Sequence, residues 1–204
     1  MFEAAPRLKS HINRSEILMQ DYIETVSGAR INLFRPDSNE IRLDDIATAL
    51  SNICRFTGHV KRWYSVAEHC VLVAALLPEH LKLTGLFHDA GEMVTNDIAS
   101  PVKKYAPRIN KIEGLFLQAA ASKFGFQYPF PLEIKCADHL ALYIEAHALK
   151  HSGGMDWEQF NDIDPDKVPA IQLSCYPPHV AKHVFLDMYY QITGHEQYSE
   201  GGGC

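Results

Sequence analysis

The sequence predicts a mainly α-helical bundle with at most one short β ribbon, and three observations support this fold class. Apolar residues recur at three- and four-residue spacing along most of the chain, which is the pattern of amphipathic helices. Helix start and stop signals flank several of these stretches, as at Ser65, Glu68 and Gly125. The 204 residues, 47% of them hydrophobic and 22% charged, suit one globular domain over 1–204.

These signals predict the elements one by one. In chain order they are a helix over about 15–26 that ends at Gly28, a strand over 30–34, and helices over about 43–54, 66–77, 79–91, 107–124, 132–150 and 178–193. Ser65 and Glu68 form a capping box, in which each side chain accepts from the backbone N–H of the other residue. The two helices that meet at Pro78 should pack as a hairpin. The apolar stripe of the last helix suits either the core or contact with a second copy of the chain.

Composition and charge exclude several classes of function. The chain carries 19 Lys and Arg against 25 Asp and Glu, a net charge of −6, so it is not expected to bind nucleic acid through bulk positive charge. It has no run of about eighteen apolar residues, so no membrane partner is expected. The first residues lack the apolar core of a signal peptide, and the five Cys form no C-x-x-C pair. We therefore expect a cytoplasmic protein without a disulfide framework.

Four polar residues lie where apolar residues are expected. His88 and Asp89 end an apolar stretch, and His69 lies near the start of the preceding helix, so a helical hairpin could bring them together. Asp138 falls on the apolar side of its helix, where an ionised carboxylate is costly unless it is paired or binds a metal. Each residue alone has an ordinary alternative, as a hydrogen-bonded core histidine or a partner of Arg. Together they predict one site for a divalent transition metal, Zn, Co, Mn or Fe.

The spacing of these four residues resembles the H…HD…D signature of the HD-domain metal-dependent phosphohydrolases. Two longer blocks, CRFTGHVKRWYSVAEH at 54–69 and GLFHDAGEMVTNDIASPVKKY at 85–105, resemble one branch of that superfamily. This branch holds bacterial 5′-deoxynucleotidases and phage dATP triphosphohydrolases. The resemblance covers about residues 20–150, and it implies an HD-type helical bundle with nucleotide phosphohydrolase activity.

The resemblance also implies roles at matching positions. It implies metal ligands at His69, His88, Asp89 and Asp138, catalytic acids at Glu92 and Asp97, and substrate contacts at Arg55, Phe56, Pro101 and Lys103. Glu92 matches the position that orients or deprotonates the attacking water, and Arg55 and Lys103 match phosphate contacts. Relatives often carry Trp at the position of Phe56, so a weaker stacking role is expected there.

The absence of His between Asp89 and Asp138 narrows the expected chemistry. HD-domain oxygenases and cyclic-dinucleotide phosphodiesterases need further His in that interval, so we expect one tightly held metal here, with any Mg²⁺ arriving on the substrate phosphates. The leading hypothesis is a dNTP triphosphohydrolase that cleaves dATP to deoxyadenosine and triphosphate. The alternatives are a 5′-deoxynucleotidase acting on dNMPs and a non-catalytic nucleotide sensor or interaction module. The expected partners are a small-molecule deoxynucleotide and further copies of the chain in a homo-oligomer.

Overall fold

The computed structural model describes residues 21–195 and confirms a mainly α fold there. The elements are strands β1 (Tyr22–Glu24) and β2 (Arg30–Asn32) and helices α1 (Leu43–Asn52), α2 (Val66–Ala75), α3 (Lys82–Leu86), α4 (Glu92–Thr95), α5 (Ser100–Lys103), α6 (Pro107–Phe124), α7 (Leu132–Leu149) and α8 (Pro178–Thr193). Short 3-10 turns lie at Arg55–Gly58, Glu79–Leu81, Glu158–Phe160 and Pro165–Lys167. The three long helices of the second half agree with the predicted ranges to within one residue.

The predicted helix over about 15–26 is wrong in its described part, because β1 pairs antiparallel with β2 there. Residues 15–20 lie outside the described range. Gly28, at φ 81°, lies in the turn between the strands, and glycine adopts this conformation without a steric penalty. Ser27 donates to the buried Asp45 of α1 through its hydroxyl at 2.6 Å and its backbone N–H at 3.0 Å. Contacts with a residue distant in sequence therefore fix this hairpin on α1.

The capping box forms at the start of α2 as predicted. The Ser65 hydroxyl accepts from the backbone N–H of Glu68 at 3.2 Å, and the Glu68 carboxylate accepts from the backbone N–H of Ser65 at 3.4 Å. Helices α2 and α3 pack as the predicted hairpin. Gly85 permits this approach, because a Cβ there would collide with the Leu77 side chain and lie 3.2 Å from the Cα of Ala74.

Two apolar clusters form the core, and α2 contributes side chains to both of them. One cluster includes side chains of α1, α2, α6 and α8, and the other packs α2 against α7. Ala181 and Phe185 of α8 are fully buried, so part of the apolar stripe of this helix belongs to the core. Within residues 21–195, no helix combines the length and the apolar character that crossing a bilayer needs.

Candidate metal centre

Four predicted ligands from three parts of the chain meet beside the first turn of α2. His69 lies in α2 and is fully buried, His88 and Asp89 lie in the turn between α3 and α4, and Asp138 lies in α7. The Nε2 atoms of the two histidines are 3.2 Å apart. Asp138 Oδ1 lies 3.1 Å from Nε2 of His69 and 3.8 Å from Nε2 of His88. Asp89 Oδ2 lies 3.4 and 3.3 Å from the same two nitrogens.

Both imidazoles are held at Nδ1, which leaves Nε2 free to face the cluster. Nδ1 of His69 lies 2.6 Å from Glu145 Oε1, and Nδ1 of His88 lies 2.8 Å from the carbonyl oxygen of Gly85. Because a carboxylate and a carbonyl only accept hydrogen bonds, these partners assign the hydrogen to Nδ1 in both rings. Each neutral ring then presents a lone pair at Nε2. Two lone pairs that face each other at this separation are stabilised by a cation between them.

The donor atoms fit a divalent transition metal. Tetrahedral ligands about 2.1 Å from an ion lie about 3.4 Å from one another. The distances between the histidine nitrogens and the carboxylate oxygens run from 3.1 to 3.8 Å. His69, His88 and Asp138 could hold a metal ion, since their ligand atoms all lie within 4.8 Å of one another. This group is compatible with the HD-type site that the sequence predicts.

Without a bound cation, the electrostatics of the cluster favour protonated imidazoles beside ionised carboxylates. Burial lowers the pKa of His88, but Asp89 and Asp138 raise it well above its ordinary value. Burial alone would raise the pKa of Asp89, but His88 and His69 hold it well below its usual range. Burial raises the pKa of the neighbouring Cys70 thiol to about 11, so this side chain stays protonated at neutral pH in the absence of a metal.

A buried cation borders the predicted ligands. Arg55 is 8% exposed and donates from Nη2 to Glu145 at 3.1 Å. Its Nη1 lies 3.9 Å from Asp89 Oδ2 and 3.8 Å from Asp97 Oδ2. Its Nε has no hydrogen-bond partner within residues 21–195. The predicted phosphate contact therefore lies beside the cluster, and three carboxylates surround its single positive charge.

Glu92 is a buried acid with one unsatisfied oxygen. The predicted helix over 79–91 ends at Leu86, and Glu92 instead begins α4, where it is 5% exposed. Its Oε2 has no hydrogen-bond partner in the described part of the chain. Burial, followed by the negative charges of Asp89 and Asp97, raises the pKa of Glu92 well above its ordinary value. A carboxyl group with a raised pKa suits proton transfer near neutral pH.

The predicted stacking residue, Phe56, lies in a left-handed turn. Phe56 and Thr57 both have φ 56°, a conformation that residues other than glycine rarely adopt. The backbone N–H of Phe56 donates to Asp97 Oδ2 at 3.0 Å. The Phe56 ring lies near the Trp157 ring, with 6.3 Å between their centroids. Strained backbone persists only where its surroundings hold it, so these contacts fix Phe56 next to Asp97.

The remaining predicted substrate contacts lie on α5. Pro101 is exposed, and Lys103 forms an ion pair with Glu113 at 2.7 Å. His139, the sequence neighbour of Asp138, lies 3.5 Å from Asp162, so it stays out of the cluster as the helical spacing predicts. Two pairs of histidines at four-residue spacing are exposed and lie away from the cluster: His147 with His151, and His179 with His183.

Glu145 is a member of the site that the sequence reasoning missed. It is fully buried in α7 and contacts both His69 and Arg55. Burial alone would raise the pKa of Glu145, but the charges of His69 and Arg55 lower it. The signal that could have found it is its position seven residues after Asp138, which is the same face of the helix two turns later.

Comparison with known proteins gives relatives over most of the chain, although no family model matches the sequence. The uncharacterized protein YfdR of Escherichia coli (strain K12) is 32% identical over 164 residues, which is 80% of this chain and 89% of YfdR. The uncharacterized protein RCAP_rcc00048 of Rhodobacter capsulatus is 29% identical over 182 residues, 82% of this chain and 93% of that protein. A protein of Vibrio atlanticus named 5′-deoxynucleotidase is 30% identical over 103 residues, which is 41% of this chain and 53% of the length of the Vibrio protein. From the identity with YfdR over most of both chains, this protein belongs to the YfdR family.

Proposed function

We propose that this protein is a metal-dependent phosphohydrolase that acts on deoxynucleotides. The observation that carries the proposal is the convergence of His69, His88 and Asp138 around one point. The buried Glu92 and Arg55 beside that point supply an acid and a cation for a phosphate ester. The similarity to a protein named 5′-deoxynucleotidase supports the same class, over 41% of this chain.

We assign each residue one role in the reaction. His69, His88, Asp89 and Asp138 hold the metal. When bound, the metal polarises a phosphoryl oxygen and lowers the pKa of a water molecule. Glu92 accepts the proton of the attacking water, a role that its raised pKa suits. Arg55 binds the phosphate through donors that its carboxylate partners leave free, and Asp97 holds Arg55 and the Phe56 turn in place.

Within this class we favour a monophosphate substrate, with orthophosphate and a deoxynucleoside as products. Lys103 is the sequence feature that favours a longer phosphate chain, and its ammonium group is paired with Glu113. Arg55 is likewise surrounded by carboxylates, which leaves less positive charge for a triphosphate. The name of the Vibrio relative agrees with a monophosphate substrate. Cleavage of dATP to deoxyadenosine and triphosphate is the second candidate.

A substrate panel tests the proposal. The purified protein is incubated with dNMPs and dNTPs in the presence of Co²⁺, Mn²⁺ or Mg²⁺, and the products are identified. Orthophosphate from dNMPs supports the favoured substrate, and triphosphate from dATP supports the second candidate. Absence of turnover with every nucleotide and metal contradicts the enzyme and favours a non-catalytic sensor.

Two variants make the panel specific to the site. Glu92→Gln should lose turnover, because an amide cannot accept the proton of the attacking water. Asp45→Asn is the matched control, since Asp45 is also a buried acid but binds Ser27 and Thr25 of the β hairpin. It should keep full activity. Cytoplasmic location and assembly into a homo-oligomer stay predictions.

A further inference from the structure

The imidazole of His69 is held at both of its nitrogens by one helix. Asp138 Oδ1 lies 3.1 Å from Nε2, and Glu145 Oε1 lies 2.6 Å from Nδ1. The two acids are seven residues apart on α7 and so lie on one face of it, about 10 Å apart along the axis. The Asp138 side chain is half-exposed to solvent, whereas Glu145 is fully buried. Asp138 is therefore accessible to a metal ion beside the ring, whereas Glu145 is enclosed by the protein.

The second oxygen of Glu145 connects the ring to the buried cation. Oε2 accepts from Nη2 of Arg55 at 3.1 Å, while Oε1 accepts from His69. Nη2 donates to Glu145, and the other terminal nitrogen, Nη1, lies near Asp89 and Asp97. One carboxylate thus contacts both a predicted metal ligand and the predicted phosphate contact, without any oxygen left over for a metal.

We infer that Glu145 is a positioning residue, which fixes the Nδ1–H tautomer and the orientation of His69 for metal binding and holds Arg55 in the same hydrogen-bonded unit. The inference rests on the proposed metal centre. Carboxylates that accept from the second nitrogen of a ligating histidine fix its tautomer, and their loss costs about 10–100-fold in metal affinity. No other acceptor is seen at Nδ1 of His69 within residues 21–195.

The test separates the hydrogen bond to His69 from the charge balance of Arg55. Glu145→Gln and Glu145→Leu are each made in two backgrounds, the wild-type protein and the Arg55→Met variant. Binding of Co²⁺ to each protein is measured by the visible absorption of the ion and by competition with a chelator. In the Arg55→Met background the glutamine oxygen is free to accept from His69, whereas leucine offers no acceptor. Replacement of a buried ion pair by apolar residues of similar volume is often tolerated, so Arg55→Met/Glu145→Leu is expected to fold.

The expected result is a loss of about 10–100-fold in Co²⁺ affinity for Arg55→Met/Glu145→Leu relative to Arg55→Met, with little loss for Arg55→Met/Glu145→Gln. Equal affinity of the leucine and parent proteins overturns the inference. Equal losses for leucine and glutamine also overturn it, because the charge and not the acceptor would then matter. An Arg55→Met parent that itself fails to bind Co²⁺ overturns it as well, since Arg55 would then organise the ring. Asp45→Asn, a buried acid away from the cluster, should bind Co²⁺ as wild type does.

Two further outcomes separate the inference about Glu145 from the proposed metal-dependent function. A wild-type protein that binds no Co²⁺ overturns the inference and the proposed function together. Normal Co²⁺ binding by every Glu145 variant overturns the inference alone. If the leucine variants do not fold, the tautomer is read directly in wild type by ¹⁵N NMR of the histidine side chains with Zn²⁺ bound. A hydrogen on Nδ1 of His69 supports the inference, and a hydrogen on Nε2 refutes it.

Discussion

Replacement of Glu92 by Gln should make the metal-free protein more stable while it abolishes hydrolysis. Glu92 is 5% exposed, and its Oε2 has no partner within residues 21–195. Its charge is also repelled by Asp89 and Asp97. A buried group without a partner costs about 1–3 kcal/mol, and more when it is ionised, so removal of the negative charge at this position should increase the free energy of unfolding by about 1–3 kcal/mol. For a chain of this length each kcal/mol moves the Tm by about 2–4 °C, so the Tm should rise by about 2–12 °C.

The gain in stability should grow with pH. The pKa of Glu92 in the folded protein is raised above its ordinary value of 4.5. The stability contributed by such a group is fully present below the ordinary value and is lost as the pH rises through the folded-state pKa. Glutamine does not titrate, so it escapes this loss. The difference between Glu92→Gln and wild type is therefore smallest in acid and largest above the folded-state pKa.

Urea unfolding of chelator-treated protein at several pH values measures this difference. Glu113→Gln is the matched control, because Glu113 is buried to a similar degree but its oxygens bind Lys103 at 2.7 Å and Thr95 at 2.8 Å. That variant should lose stability, since it weakens a satisfied pair. A loss of stability in Glu92→Gln at pH above neutrality, or a gain that does not change with pH, would refute the reasoning.

Three further predictions test the ligands and the packing around them. Asp138→Ala should lose Co²⁺ binding by calorimetry, and tight binding would contradict the ligand assignment. Gly85→Ala should lower the free energy of unfolding by about 1–3 kcal/mol, because its Cβ would crowd α2, and an unchanged urea midpoint would argue against that close contact. Ser65→Ala should cost about 1 kcal/mol by loss of the cap. The Tm should then fall by about 2–4 °C, and an unchanged Tm would show that the capping box adds nothing.

Local signals explain which parts of the fold were predictable from the sequence. The start of α2 follows from Ser65 and Glu68, whose reciprocal hydrogen bonds span three residues. The end of α6 follows from Gly125, which closes the helix at φ 78°. By contrast, β1 depends on pairing with β2 and on contacts between the turn and Asp45, which no local pattern reveals.

The site was predictable to the extent that its residues are anomalous in sequence. Asp138 is a carboxylate on an apolar face, and His88 with Asp89 follows an apolar stretch, so these predicted ligands could be singled out before any packing was known. Asp97 followed only from the resemblance, because its contact with the Phe56 N–H joins residues 41 apart. Glu145 escaped because its contacts with His69 and Arg55 span 76 and 90 residues.

The contacts of Asp138 and Glu145 with the two nitrogens of His69 also help to align α7 along α2. The apolar face of α7 in this cluster includes the small Ala137 and Ala141 together with the larger Ile134 and Ile144. A shift of α7 by one residue would move its side chains about 1.5 Å along the axis and rotate them by about 100°, which would break the hydrogen bond between Glu145 and the ring and move Asp138 away from Nε2. Polar contacts with one imidazole therefore act together with apolar packing to set the axial register of α7. A protein with Asp138 and Glu145 both changed to apolar residues should keep this helix, with its alignment then set by the apolar face alone.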